Sequence, residues 1–221
     1  MTIRIISRSD EPFQDRQEAG RLLAGELRQF SREKTVALGI PRGGVIVARE
    51  IARELKAEFD IVLAHKLGSP GYAELAIGSV AEDGRVFLNE MLVRKLGVSD
   101  DYIEDEKGRQ LVEIRRRANL IRRVRPKVPL TGKTVIITDD GVATGATAQA
   151  AIWSVRLENP ARLIVALPVG PEEALRKLSE DVDDVICLRA PEDFAGVGQF
   201  YLRFTPVEDE AVLKILEQEP R

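Results

Sequence analysis

Val135-Ile136-Ile137-Thr138-Asp139-Asp140-Gly141-Val142-Ala143-Thr144-Gly145-Ala146-Thr147 is the stretch on which the reading of this chain turns. It opens as a short continuous apolar run, the pattern of a strand buried on both faces. Two carboxylates stand at the strand's exit, where they can accept hydrogen bonds from vicinal hydroxyls. The small residues behind them let the backbone curl so that successive N–H groups point into one concavity. The start of a helix adds partial positive charge to that anion nest. The hydroxyls of Thr144 and Thr147 can donate to the same anion. Diol acceptors beside an anion cradle describe a receptor for a ribose 5-phosphate group. The competing reading is an acid pair ending an ordinary strand, as in the metal-binding strand of a P-loop protein.

Outward from this stretch, strands alternate with helices. Apolar runs predict strands at 35–40, 60–65, 133–138, 163–168 and 182–188. Helical spacing places Ala19, Leu22, Leu23, Leu27 and Phe30 on one face, and Val45, Ala48, Ala52 and Leu55 on another. A long helix is expected from Ser99 to about Arg123, with Leu111, Ile114, Ala118 and Ile121 as its buried stripe and Pro126 and Pro129 closing it. Shorter helices are expected after Thr147, at 172–179 and at 208–217. The pattern predicts an α/β fold: a parallel sheet core with helices on both faces. Such sheets bind ligands beyond the carboxyl ends of their strands, which directs attention to the turns after Ile40, His65 and Thr138. Residues 68–84 are rich in glycine and turn formers and read as a mobile loop, with a weak strand at 76–81.

The 221 residues, 44% hydrophobic, suit one globular domain with a small appendage. The division expected is a core of residues 1–188 and a C-terminal segment of residues 189–221. With 33 basic and 36 acidic residues the net charge is −3, which excludes a surface built wholly for nucleic acid. One cysteine, Cys187, excludes an internal disulfide, and one histidine, His65, excludes a multi-imidazole metal site. His65 reads better as a satisfied strand-end residue than as a catalyst. The first twenty residues are charged throughout, and no apolar run is long enough to cross a bilayer; a cytoplasmic protein with no membrane partner is expected. The run from Arg115 to Arg125 reads as a solvated helix end that complements the dipole, in preference to a nucleic-acid contact. Thr131-Gly-Lys-Thr134 precedes its strand and lacks the upstream glycine of a P-loop.

Gly39-Ile40-Pro41-Arg42-Gly43-Gly44 follows the first of these strands. Gly43 and Gly44 let backbone approach a ligand closely, and Arg42 brings a permanent charge suited to phosphate. A plain strand-to-helix turn would carry the same residues.

Taken together, the acid pair with Thr-Gly-x-Thr, this glycine loop, Lys66 and the run Phe194 to Phe204 resemble the type I phosphoribosyltransferases, and in particular a group of uncharacterised bacterial ones. The resemblance covers nearly the whole chain. It implies a Rossmann-like core with a small hood formed by residues 189–221. The implied activity is transfer of the 5-phosphoribosyl group from phosphoribosyl pyrophosphate (PRPP) to a nitrogen nucleophile, a nucleobase or similar acceptor, with magnesium as cofactor. Asp139 and Asp140 would hold the ribose diol and orient Mg²⁺, and Gly141, Val142, Ala143, Thr144, Gly145, Ala146 and Thr147 would cradle the 5-phosphate. Arg42, Gly43, Gly44 and Lys66 would bind and stabilise pyrophosphate, with a cis peptide between Pro41 and Arg42. Arg42, Lys66, Asp139 and Asp140 are thus the implied catalytic set. Residues 68–84 would be a lid, with Tyr72 and Glu74 as candidate lid residues, and the aromatic run would cover the base. Ala143 departs from the Asp that 6-oxopurine enzymes carry there, which disfavours hypoxanthine or guanine as acceptor. The second hypothesis is a regulator that senses PRPP and binds RNA without turnover. The acceptor, any acid/base helper and a homo-oligomeric state are left open.

Overall fold

The computed structural model describes residues 2–31 and 33–219, without the side chains of 73 and 74. The chain begins with β1 (Thr2–Ser7) and α1 (Arg16–Glu26), then β2 (Thr35–Gly39), α2 (Gly44–Leu55) and β3 (Glu58–Ile61). Three further strands follow, β4 (Ala64–Ser69), β5 (Tyr72–Ala81) and β6 (Val86–Leu88), then α3 (Glu90–Leu96) and the long α4 (Asp100–Val124). The second half is β7 (Thr134–Thr138), α5 (Ala146–Arg156), β8 (Arg162–Val169), α6 (Glu172–Ser179), β9 (Asp184–Arg189) and α7 (Asp209–Gln218).

Six strands form one parallel sheet in the order β1-β9-β8-β7-β2-β3. β2 and β7 are buried at every position, as strands covered on both faces must be. One face packs α1, α2 and the ends of α4 and α7 over Ala37, Ile136 and Ile164. The other packs α5 and α6 over Val36, Val135 and Val165. From β2 the chain winds outward to β3, and from β7 it winds the opposite way through β8 and β9. The switch point therefore lies between β2 and β7, where Gly39 pairs with Thr138.

The sequence expectations need correction at several points. The run 60–65 is not one strand: β3 stops at Ile61, and His65 and Lys66 belong to β4 of a separate antiparallel sheet, β4-β5-β6. Residues 68–84, expected as an irregular loop, are mostly β-structure. Gly71 (φ +76°) makes the tight turn between β4 and β5, so the turn formers mark a hairpin tip. Gly78 lies where a Cβ would overlap the Phe87 carbonyl, so its glycine serves close strand approach and not flexibility. This small sheet supplies the hood layer expected of residues 189–221. That C-terminal segment instead contributes Phe200, Tyr201, Val212 and Leu216 to the core. Leu22, placed on the buried face of α1, is 49% exposed. β1, β6 and α3 were not anticipated.

The arginine run divides: Arg115, Arg116 and Arg123 are exposed, as expected of a solvated helix end, while Arg122 and Arg125 are committed inside the fold. Arg116 and Arg117 pair with Glu113, and Arg122 reaches Asp60 and Glu82. Arg125 donates to the carbonyls of Phe59 and Glu219. Helix starts follow capping rules, with Asp15 on α1, Asn89 on α3 and Ser99 on α4.

Candidate active site

Because Gly39 and Thr138 are in register, the turns that leave β2 and β7 meet. The Ile40 amide donates to the Thr138 carbonyl at 2.9 Å, and the Pro41–Arg42 peptide is cis. Gly43 and Gly44 then pass directly over the acid pair. A Cβ on Gly43 would overlap the Asp140 carboxylate; one on Gly44 would lie 2.7 Å from Asp139 Cα and from the Thr138 carbonyl oxygen. The glycines are therefore required for the loop to seat on the carboxylates. Gly44→Ala meets backbone that cannot step aside. It is expected to cost about 1–3 kcal/mol, a fall in Tm of roughly 2–12 °C, read by thermal denaturation. An unchanged Tm would mean the loop does not seat as described.

Asp139 Oδ1 accepts the Asp140 amide at 2.8 Å, and the carboxylate also accepts from the Gly44 amide. Burial pushes the Asp139 carboxyl well above the usual carboxylate range, and the Asp140 charge pushes the same way. Asp140 has a cation of its own. Arg16, at the start of α1 and only 7% exposed, donates from Nε to Asp140 Oδ2 at 2.7 Å. Arg16 also donates to the Thr205 carbonyl at 2.9 Å and lies 3.9 Å from the Phe204 ring centroid. The Tyr201 hydroxyl donates to the Asp140 carbonyl at 2.6 Å, and burial holds that phenol well above its ordinary range.

The turn from 141 to 147, expected as the cradle, leads from β7 into α5. Gly145 adopts φ +79° and caps α5, and Thr144 Oγ1 accepts the Ala146 amide at 3.4 Å. Ala143, Thr144 and Thr147 are exposed at the mouth, where a ligand can reach them. Val142 is buried, and its amide donates to the Val169 carbonyl at 3.0 Å. It fixes the turn to β8 and offers no donor to an anion. Ala143 leaves no carboxylate at the position it occupies.

Pro41, Lys66 and Thr147 line one cavity of about 310 Å³, so the glycine loop, the lysine and the cradle converge although β4 is not in the main sheet. His65, on the same wall, is 2.9 Å from Gln110 Oε1 through Nδ1, and Gln110 donates to Glu106, which fits a satisfied residue. Arg42 is exposed and pairs with Glu208 at 3.2 Å, a contact worth little in water. Tyr72 is 74% exposed at the hairpin tip; the Glu74 side chain lies outside the described residues. Of the aromatic run, Phe200 and Tyr201 are core, and Phe204 stacks on Tyr201 with centroids 5.1 Å apart. A larger cavity of about 680 Å³, between the end of α2, the start of β3 and the end of α7, lies at the amino ends of the strands, away from these groups.

Sequence reasoning missed Arg16, and read Tyr201 only as part of the aromatic run over the base, not as a partner of the Asp140 carbonyl. Arg16 carries a signal: a cation immediately after the N-cap Asp15 opposes the helix dipole and calls for another reason to be there.

An open parallel sheet whose switch point seats a glycine loop on two carboxylates, next to the start of α5, defines this as an α/β protein with its candidate site at the carboxyl ends of the central strands. Residues 14–205 match the phosphoribosyl transferase domain, and the chain belongs to that family. It is 42% identical over 209 residues to a Mycobacterium tuberculosis protein provisionally named a phosphoribosyl transferase; the match covers 95% of this chain and 47% of that protein. The chain thus spans about half the length of the curated relatives it matches. It is also similar to the crystal structure of TT1426 from Thermus thermophilus, with 46% identity and a TM-score of 0.89, covering 94% of this chain and 98% of that one. No helix among the described residues is long and apolar enough to cross a membrane.

Proposed function

We propose that the protein transfers the 5-phosphoribosyl group of PRPP to a ring nitrogen of a nucleobase-like acceptor in the cytoplasm, releasing pyrophosphate. The observation that carries this reading is the seating of Gly43 and Gly44 on Asp139 and Asp140; Lys66 and Thr147 line the cavity that Pro41 of the same loop borders. The carboxylates accept the ribose 2- and 3-hydroxyls. The backbone of Gly141 and Ala143 to Ala146, with the Thr144 and Thr147 hydroxyls, holds the 5-phosphate. The loop backbone at Arg42 to Gly44 and the Lys66 ammonium bind pyrophosphate. Arg42 turns from Glu208 to the leaving group when it is present.

In the reaction the C1–O bond to pyrophosphate breaks and a C1–N bond forms, the acceptor's proton passing to solvent. Charge develops on the departing oxygen, so the cations around it stabilise the transition state more than the ground state. Two adjacent carboxylates are hard oxygen donors and fit magnesium, which keeps waters and takes few protein ligands. Among the described residues no cluster of three or more His, Cys, Asp or Glu could hold a metal alone, so substrate oxygens complete the site. When bound, the ion supplies further neutralisation of pyrophosphate charge. Arg122 and Arg125 are committed inside the fold and Arg116 and Arg117 to Glu113 on their own helix, which gives the RNA-binding regulator no support.

The test is a screen of nucleobases for magnesium-dependent pyrophosphate release from PRPP. Wild-type protein that binds PRPP but releases no pyrophosphate with any base would refute the transferase reading. Lys66→Ala should lower turnover about 100-fold while ribose 5-phosphate affinity stays within threefold. Equal losses in both would remove the lysine from the leaving-group side.

A further inference from the structure

We infer that Arg16 is the positioning residue of the acid pair: it aims Asp140 at the ribose hydroxyls and ties that aim to the C-terminal segment. The inference deepens the PRPP reading and rests on it. Three separate contacts use the three parts of one guanidinium. Nε bonds Asp140 Oδ2, Nη1 bonds the Thr205 carbonyl, and the carbon lies 3.9 Å from the centroid of Phe204. Arg16 also lies against the glycine loop, since a Cβ on Gly43 would come within 2.9 Å of its Nε. One side chain therefore touches α1's start, the loop over the carboxylates, Asp140 itself and the chain after Tyr201.

Burying a guanidinium beside the positive end of a helix dipole is locally unfavourable. The Asp140 carboxylate compensates. Two adjacent carboxylates repel, and Asp140 has a cation in bonding contact. The Arg16 contact uses one oxygen of Asp140 through one N–H, and a carboxylate has about four acceptor positions. Capacity for a diol remains while rotation about the Asp140 side chain is stopped. Lysine could supply the charge, but not a carboxylate bond, a carbonyl bond and a stacked plane together.

Calorimetric titration with three probes, PRPP and ribose 5-phosphate with magnesium and inorganic pyrophosphate without it, tests this. Arg16→Met should weaken PRPP and ribose 5-phosphate binding about 10- to 100-fold, the loss expected when a charged hydrogen-bond partner goes. Pyrophosphate, titrated without magnesium so that it meets the loop, Arg42 and Lys66 and not the acid pair, should change less than threefold. Arg16→Lys should recover part of the ribose 5-phosphate affinity, to within about tenfold of wild type; if Arg16→Met does not fold, a selective loss in Arg16→Lys relative to wild type carries the test. Equal loss for all three probes would mark a merely structural residue and overturn the inference. So would unchanged or tighter ribose 5-phosphate binding, which would make Arg16 a competitor for Asp140. Wild-type protein that binds neither PRPP nor ribose 5-phosphate would overturn the donor reading itself, and the inference with it.

Discussion

Asp139→Asn is expected to raise the melting temperature at neutral pH and, in the same protein, to remove PRPP binding. The fold holds this carboxyl above its ordinary range because burial and the neighbouring Asp140 charge both oppose ionisation. A group whose pKa is raised by folding contributes stability that is complete below the unfolded carboxylate range and is lost as pH climbs through the folded value. At pH 7, above the unfolded carboxylate range, Asp139 is thus a cost to the fold. Asparagine is neutral, and its Oδ1 can still accept the Asp140 amide that Asp139 Oδ1 accepts. Each kcal/mol relieved should appear as about 2–4 °C in Tm for a chain of this size. The gain should shrink as the buffer is acidified toward the unfolded carboxylate range, where both states of the wild type carry the proton and the cost disappears. Binding moves the other way: losing an ionised acceptor for the ribose hydroxyls should weaken PRPP by at least about tenfold. Melting curves from pH 4 to 8 in chelator, with a titration of PRPP, decide it. A lower Tm for the variant at pH 7 would show that the carboxylate is not under strain.

The second large effect concerns stability alone. Arg122 bonds Asp60 at 2.7 Å and Glu82 at 2.9 Å, and Asp60 is 1% exposed at the end of β3. The other Asp60 oxygen accepts the Val128 amide at 3.0 Å, so this carboxylate holds α4, β3 and the approach to β7 together. Arg122→Met leaves that charge buried without its cation and should cost about 3–5 kcal/mol, or roughly 6–20 °C in Tm. Arg115→Ala, on the exposed face of the same helix, should change stability by no more than about 0.5 kcal/mol. Adding Asp60→Asn to Arg122→Met should recover much of the loss. Similar small effects from Arg115 and Arg122 would return the whole run to the status of a solvated helix end.

The contrast between those two arginines shows what the sequence could convey. Charge and spacing placed both on one long helix, and the net charge argued against a nucleic-acid surface. Nothing local said that Arg122 points at Asp60, 62 residues away. The acid pair, the glycine loop and the cradle were legible because each is a contiguous run whose chemistry follows from its own order. Arg16 and Tyr201 were not, because their roles exist only when α1 and the C-terminal segment close on β7. Val142 failed for a similar reason: its amide faces β8, not the ligand. Residues 68–84 misled because glycine and turn residues serve a hairpin tip and a tight strand crossing as well as a loop.

The hairpin that carries Lys66 has one more property. Lys66 pairs with Ser79 across the ribbon, and the Ser79 hydroxyl lies 3.3 Å from that of Ser154 on α5, the helix whose first turn forms the cradle. The two ends of the proposed donor are thus gripped by parts bolted to one frame. Under the proposed function such a frame would work as a calliper, selecting sugar phosphates by the length between their charged ends, and hexose or tetrose analogues of equal charge should fit it poorly.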